Sequence, residues 1–353
     1  MKTAAVDIFA CPGCKGALDL RAVTRDGPEV LEGSLTCRSC GAEYAVTRGV
    51  PRFVDRGAYA ASFGLQWDWF RAVQLDSVNG TDESDRALYS TTGWTADDYG
   101  GALVLDAGVG AGRFAEIVAE NGGEVVGIDP TAAVDAAYAN VGRRERVHLA
   151  QADIFAMPFR NETFDLAYSI GMLHHTPSPR KGFANVAATV KPRGGLAVYL
   201  YALFGPGRSF MAAIRSVTTR LPPKLVLILS SAAVPMYYVY RTPVLGKVFH
   251  LVLPMSLHRN WRWRWLDTFD TYTRRHHWML QYPEVFGWFK ECGFGEIEMF
   301  EQPIRMRGTK TPVQVSQPGA ALVDGPSSAR QTTPVFAGSQ REHRTAANRG
   351  DQP

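Results

Sequence analysis

Between residues 101 and 201, short apolar runs alternate with stretches of helical periodicity. Leu103-Val104-Leu105, Val125 to Ile128, Val147-His148-Leu149, Phe164 to Ile170 and Leu196 to Tyr201 have the length and residue types of buried strands. The segments 113–121, 131–141 and 179–190 between them read as helices. This order predicts an α/β fold with a doubly wound, mostly parallel sheet, and it places the ligand at the carboxyl ends of the strands. The alternation stops over 202–282, an apolar and aromatic insertion with scattered arginine and lysine. It resumes with a helix over 283–292, ended by Gly293, and a strand from Glu296 to Phe300.

The flanking regions follow other patterns. Residues 1–56 read as a compact β module with a Leu18/Leu20 alternation and an Asp26-Gly27-Pro28 turn. Residues 57–100 read as a linker with one amphipathic helix, on which Phe63, Trp67 and Phe70 share a face. Residues 306–353 are rich in Gly, Pro, Ser, Thr and Gln, and read as a disordered tail that cannot offset its ordering entropy.

Composition narrows the function classes. The chain has 353 residues, 46% of them hydrophobic, which is enough for a sizeable core. A net charge of +4 gives no overall call for nucleic acid, so any basic patch must be local. The first ten residues lack the apolar run of a secretory signal, and a cytoplasmic location is expected. Four of the five cysteines form two knuckles, Cys11-Pro-Gly-Cys14 and Cys37-Arg-Ser-Cys40. Paired Cys-x-x-Cys turns in so small a module point to a tetrahedral zinc site that the module needs in order to fold. Cys292 is expected to be a buried apolar residue.

The string from Cys11 through Leu18, with Leu35 to Tyr44 and the closing Gly49-Val50-Pro51, resembles the zinc-ribbon family typified by the small activator subunit of tRNA and protein methyltransferases. That resemblance implies a structural ribbon supporting a methyltransferase, here in the same chain.

The first core strand ends in Asp106-Ala-Gly108-Val-Gly110-Ala-Gly112. Glycines there let the backbone approach a ligand, but the turn alone fits a dinucleotide equally well. Asp106 separates the two readings. A carboxylate at that strand tip would repel a pyrophosphate, and it would attract the ammonium and sulfonium of S-adenosylmethionine. Asp129 ends the second strand, where it can accept ribose hydroxyls, and Asp153 follows the third, with Ile154 and Phe155 placed to cover an adenine. Together with Phe164-Asp165-Leu166 and Lys191-Pro-Arg-Gly-Gly195, these motifs resemble class I methyltransferases of the ubiquinone-biosynthesis type. The resemblance implies a Rossmann-like core binding S-adenosyl-L-methionine through Asp106, Gly108, Gly110, Gly112, Asp129, Asp153 and Ile154. Met172-Leu-His-His175 matches the family's segment after the fourth strand, and Arg113 is more basic than the family's pattern. The segment from Phe63 to Trp67 resembles the stretch that packs near the cofactor in ribbon-bearing members.

The acceptor side is less legible. His175, then His174, are the candidate catalytic bases, with His276 and His277 behind them. In the insertion, 225–257 is apolar and flanked by basic and aromatic residues, but its runs fall short of the ~20 residues needed to span a bilayer. Peripheral membrane contact, a pocket for a lipid-like acceptor and a lid over the site all fit this stretch. The leading expectation is methyl transfer to a small-molecule or lipid-linked acceptor, at oxygen. RNA methylation, suggested by Trp261-Arg-Trp-Arg-Trp265, and a non-catalytic scaffold of the same fold are the alternatives.

Overall fold

The computed structural model describes residues 1–54, 69–202, 208–301, 304–312 and 330–331. The Phe63 to Trp67 segment lies outside these residues, as does most of the expected tail.

An antiparallel sheet opens the chain: β1 (Leu18–Asp26), β2 (Glu29–Cys37), β3 (Glu43–Thr47) and β4 (Val50–Pro51). Gly49, at φ +79°, turns the chain into β4, and a Cβ there would meet the Tyr138 ring at 2.3 Å. Only glycine permits both the turn and the close approach. The module then joins the core. Phe53 N donates to Gln151 O at 2.8 Å, Arg52 pairs with Asp135 at 2.6 Å, and Phe9, Leu35 and Phe53 share one hydrophobic cluster with Phe159 and Phe164. The ribbon is therefore packed on the core in the same chain.

The polar stretch read as linker is more ordered than its composition suggests. It forms α1 (Asp76–Asn79), α2 (Glu83–Thr92) and α3 (Ala96–Tyr99). Asp76 accepts from Ser84 N and Asp85 N, which satisfies the open amides at the start of α2. Leu88, Trp94 and Tyr99 are buried in the second core cluster. Apolar residues this widely spaced give no periodic signal.

The core follows in the expected order: β5 (Leu103–Ala107), α4 (Arg113–Glu120), β6 (Glu124–Asp129), α5 (Ala133–Val141), β7 (Val147–Gln151), β8 (Phe164–Ile170), α6 (Pro179–Thr189) and β9 (Val190–Tyr199). The insertion supplies α7 (Arg208–Thr218), α8 (Pro223–Ser230), α9 (Ala233–Tyr240), α10 (Leu245–Val252) and α11 (Trp261–Thr273). A two-residue strand, β10 (Trp278–Met279), precedes α12 (Tyr282–Glu291), β11 (Phe294–Met299) and β12 (Arg305–Lys310). Cys292 is half-buried against the core rather than fully enclosed.

The seven-stranded sheet runs β11-β12-β9-β8-β5-β6-β7, parallel except for β12, which is antiparallel to both neighbours. Residues 306–310, expected in the tail, thus belong to the sheet. Arg305 to Lys310 reads as polar, yet Met306 and Gly308 point into the core and Arg307 bonds Glu298 and the Gly93 carbonyl. Alternation of a single methionine with a glycine is too weak to read as a strand.

Candidate functional site

A cavity of about 500 Å³ opens at the carboxyl ends of β5, β6, β8 and β9. Its floor is the turn after β5. Gly108 N and Val109 N both donate to Ile128 O at 2.9 Å, which ties the turn to β6. Gly108 sits at φ +106°, and a Cβ would meet Met172 at 2.7 Å, so the backbone itself faces the cavity. Gly110 also lines the cavity, whereas Gly112 lies behind it against Val141 and serves as the helix N-cap.

Asp129 lines the cavity at the tip of β6. Its carboxylate accepts from Thr131 N at 2.9 Å, Thr131 Oγ1 at 2.5 Å and Gly110 N at 3.3 Å. Burial raises its pKa, and these donors oppose the rise. Asp106 lies just beneath the floor and accepts from Tyr168 OH at 3.0 Å. Burial pushes its pKa up to about 7, against the pull of the Tyr168 hydroxyl and Arg113. Asp153 and Ile154 do not line the cavity. Asp153 instead accepts from Phe155 N at 3.0 Å and caps the turn after β7, with Ile154 buried below it. Arg113 rests 4.2 Å from the Phe114 ring centre and 5.8 Å from that of Trp263, a cation–π link between the glycine turn and the insertion.

The opposite wall comes from the turn after β8, the end of β9 and α11. Asn260 Oδ1 caps α11 by accepting from Arg262 N at 3.0 Å and Trp263 N at 3.4 Å. On its inner face Asp267, Asp270, Thr271 and the following Arg274 line the cavity, while Leu266 and Phe269 join α8 in an apolar cluster. Asp270 Oδ2 accepts from Arg274 Nη2 at 2.7 Å. Arg215 reaches the Thr271 and Arg274 carbonyls and holds the end of the helix. Burial, with Asp270 nearby, pushes Asp267 up to about 6.

The two predicted histidines part company. His175 lines the cavity, with Nδ1 2.9 Å from the His276 carbonyl and a buried Nε2 without a partner among the described residues. The carbonyl fixes the proton on Nδ1 and leaves the Nε2 lone pair unpartnered. His174 is fully buried, stacked on Tyr201 at 3.8 Å, with both ring nitrogens unpartnered among the described residues. Burial, then Arg274, holds both pKa values well below 6.5, so both rings are neutral. His277 completes the group, its Nδ1 unpartnered and its pKa pushed down to about 3 by burial and two arginines. The sequence reading missed Tyr201, Asp267, Asp270 and Arg274. The spacing of 267, 270, 271 and 274 is that of one helix face and was the available signal.

The four predicted cysteines converge. Their sulfurs all lie within 4.8 Å of one another, with Cys14–Cys37, Cys14–Cys40 and Cys11–Cys40 at 3.4, 3.5 and 3.7 Å. A tetrahedral site with metal–sulfur bonds of about 2.3 Å needs sulfurs about 3.8 Å apart, so the set fits one metal ion.

Fold and site together define a class I S-adenosylmethionine-dependent methyltransferase domain that carries a zinc-ribbon module at its N-terminus. Residues 105–198 match the methyltransferase domain family, and residues 6–49 match the Trm112p-like protein family. Over 101 residues, 27% of this chain, there is 34% identity to a sterol 4-C-methyltransferase of Caenorhabditis elegans, covering 30% of that protein. A ubiquinone biosynthesis O-methyltransferase of Coxiella burnetii is 28% identical over 30% of this chain and 50% of its own. The chain thus spans half or less of these curated relatives. Among solved structures, human N-acetylserotonin methyltransferase in complex with SAM aligns over 70% of this chain and 56% of its own, at 16% identity and a TM-score of 0.40.

Proposed function

We propose that this chain transfers the methyl group of S-adenosyl-L-methionine to a hydroxyl of a small-molecule or lipid-linked acceptor. The observation that carries the reading is the cavity itself. Asp129 and a glycine turn form one wall, with Asp106 beneath it, and a neutral histidine with an unpartnered Nε2 stands on the other.

Asp129 would hold the ribose hydroxyls, the backbone at Gly108 and Gly110 would border the methionine part, and Asp106 would supply the negative field beneath its cationic groups. The side of the cavity toward Asp153 and Ile154 is the expected adenine end. When bound, the cofactor supplies an activated methyl carbon, so the protein has chiefly to orient the acceptor oxygen and accept its proton. His175 Nε2 would do both, and its low basicity delays proton transfer until the oxygen–carbon bond forms. Tyr201 and His277 would border the acceptor, while buried His174 would position Tyr201 and His175 rather than touch the acceptor. Asp267 and Asp270 add polar groups that suit a hydroxylated acceptor.

Calorimetry with S-adenosylmethionine and NAD tests the reading. Micromolar binding of the first and none of the second is expected; tight NAD binding alone would overturn it. For the ribbon, zinc is the ion we infer from four thiolates at these spacings. Metal analysis should return one zinc per chain, and chelation should lower the melting temperature of the whole chain because ribbon and core share a hydrophobic cluster.

A further inference from the structure

Residues 202–266 contain nine lysines and arginines and not one aspartate or glutamate, in a chain with 34 acidic residues elsewhere. Arg215 and Arg264 are spent inside the fold, bonding backbone carbonyls. Arg220, Lys224, Arg241, Lys247, Arg259 and Arg262 are exposed. Among the described residues, the ion pair made by this part of the chain, Glu83–His258, uses none of them.

The helices that carry Lys224 and Lys247 are also apolar where an exposed helix side would be polar. Helix α8 buries Val226 and Leu227 against α11, yet its outer side carries exposed Leu225, Ile228 (65%) and Leu229 (56%). Helix α10 packs chiefly on α9 and exposes Leu245 (56%), Val248 (56%) and Val252 (45%), with Val244 before it at 72%. A helix apolar on the face away from the core has its second partner elsewhere. Among the described residues no helix is long and apolar enough to cross a membrane, so the partner must be met from one side.

We propose that the α8–α10 face docks on an anionic lipid bilayer, with its aliphatic side chains in the acyl boundary and its cations among the headgroups. Aliphatic chains cannot stack on bases, and they dominate the exposed face, which favours lipid over a single-stranded nucleic acid. Helix α8 packs on α11, whose other side lines the cavity, so docking through α8 brings the acceptor wall toward the membrane surface. The docking itself is argued from the insertion alone. Only its consequence, delivery of a lipid-linked acceptor, rests on the methyl-transfer reading.

The full-length protein is sedimented with vesicles of phosphatidylcholine alone or with about a third phosphatidylglycerol. Partition is expected to be about tenfold stronger on the anionic vesicles and to weaken as salt is raised. Leu245→Gln/Val248→Gln/Val252→Gln should lower it about tenfold on the anionic vesicles. Arg241→Glu/Lys247→Glu should remove the preference for anionic lipid, with melting temperature and cofactor calorimetry unchanged in both variants. Equal partition on the two vesicles, or anionic binding indifferent to both variants, overturns the proposal. So does tighter binding to a polyuridine oligonucleotide that only the charge variant releases. Vesicle binding lost with cofactor binding intact sinks this inference alone; the reverse sinks the methyl-transfer reading alone.

Discussion

On the proposed cofactor side of the cavity, Asp129 accepts from three donors and Asp106 from the Tyr168 hydroxyl, all supplied by residues within or beside the strand tips. On the proposed acceptor side, the cavity-lining His175 Nε2, His277 Nδ1, Asp270 Oδ1 and Arg274 Nε are buried with no partner among the described residues. Buried polar groups left unpaired cost about 1–3 kcal/mol each. The first wall satisfies its own polar groups, and the second leaves its polar groups for a bound molecule to satisfy, as the proposed acceptor would. A wall of that second kind favours an acceptor rich in hydrogen-bonding groups and rejects analogues that lack them.

Substituting one residue on each wall breaks this comparison. The largest effect belongs to His175→Ala, followed as labelled methyl transferred from S-adenosylmethionine into a lipid extract. Turnover should fall about 100-fold, the scale of a lost general base, while cofactor affinity stays within about twofold. Equal loss of both would mean that the acceptor wall also holds the cofactor. Because burial keeps the ring neutral, this residue should add no loss of activity as pH falls from about 8 to about 6.

The second effect is on the other wall. Asp129→Asn keeps an acceptor for Thr131 and Gly110 but removes the charge. Hydrogen bonds to a charged group are worth about 1.5–3 kcal/mol, so cofactor affinity should weaken about 30-fold by calorimetry. Turnover at saturating cofactor should change much less. A large fall in turnover with unchanged affinity would place Asp129 on the acceptor side.

The walls also differ in how far they could be read from the chain. Asp106 and Asp129 end runs of three or more apolar residues, so periodicity fixes both the strand and its tip. The knuckles are legible because metal geometry constrains spacing. Asp153 and Ile154 follow the same rule, yet the chain turns after β7 and caps itself with Asp153, a local hydrogen bond that no periodicity reveals. Most of α11 is invisible for a different reason. Its Trp-Arg-Trp-Arg-Trp start mixes buried Trp263 and Arg264 with exposed Trp261 and Arg262, and buried arginine contradicts any hydrophobic pattern. The segments 76–99 and 305–310 are illegible too, since side-chain bonds to backbone hold them where apolar periodicity is absent.

Tyr168→Phe should give the smallest effect, and one that pH can switch off. Burial pushes the Asp106 pKa up to about 7, and the Tyr168 hydroxyl, which bonds the ionised form, opposes that rise. Because the folded pKa lies above the unfolded value of about 3.9, ionisation costs the unliganded fold stability. That cost grows as pH climbs from about 4 to about 7, then levels off. Losing the hydroxyl should raise the pKa further and deepen the cost. A cationic ligand prefers the ionised form, so near pH 7 the variant should bind S-adenosylmethionine a few-fold more weakly than wild type. Above about pH 9 both proteins carry Asp106 ionised and the gap should close to what one neutral hydrogen bond contributes. Calorimetry across that range would read this convergence. A gap that stays constant with pH would mean that Tyr168 shapes the wall only by packing against Phe114, whose ring meets it edge-on at 6.3 Å.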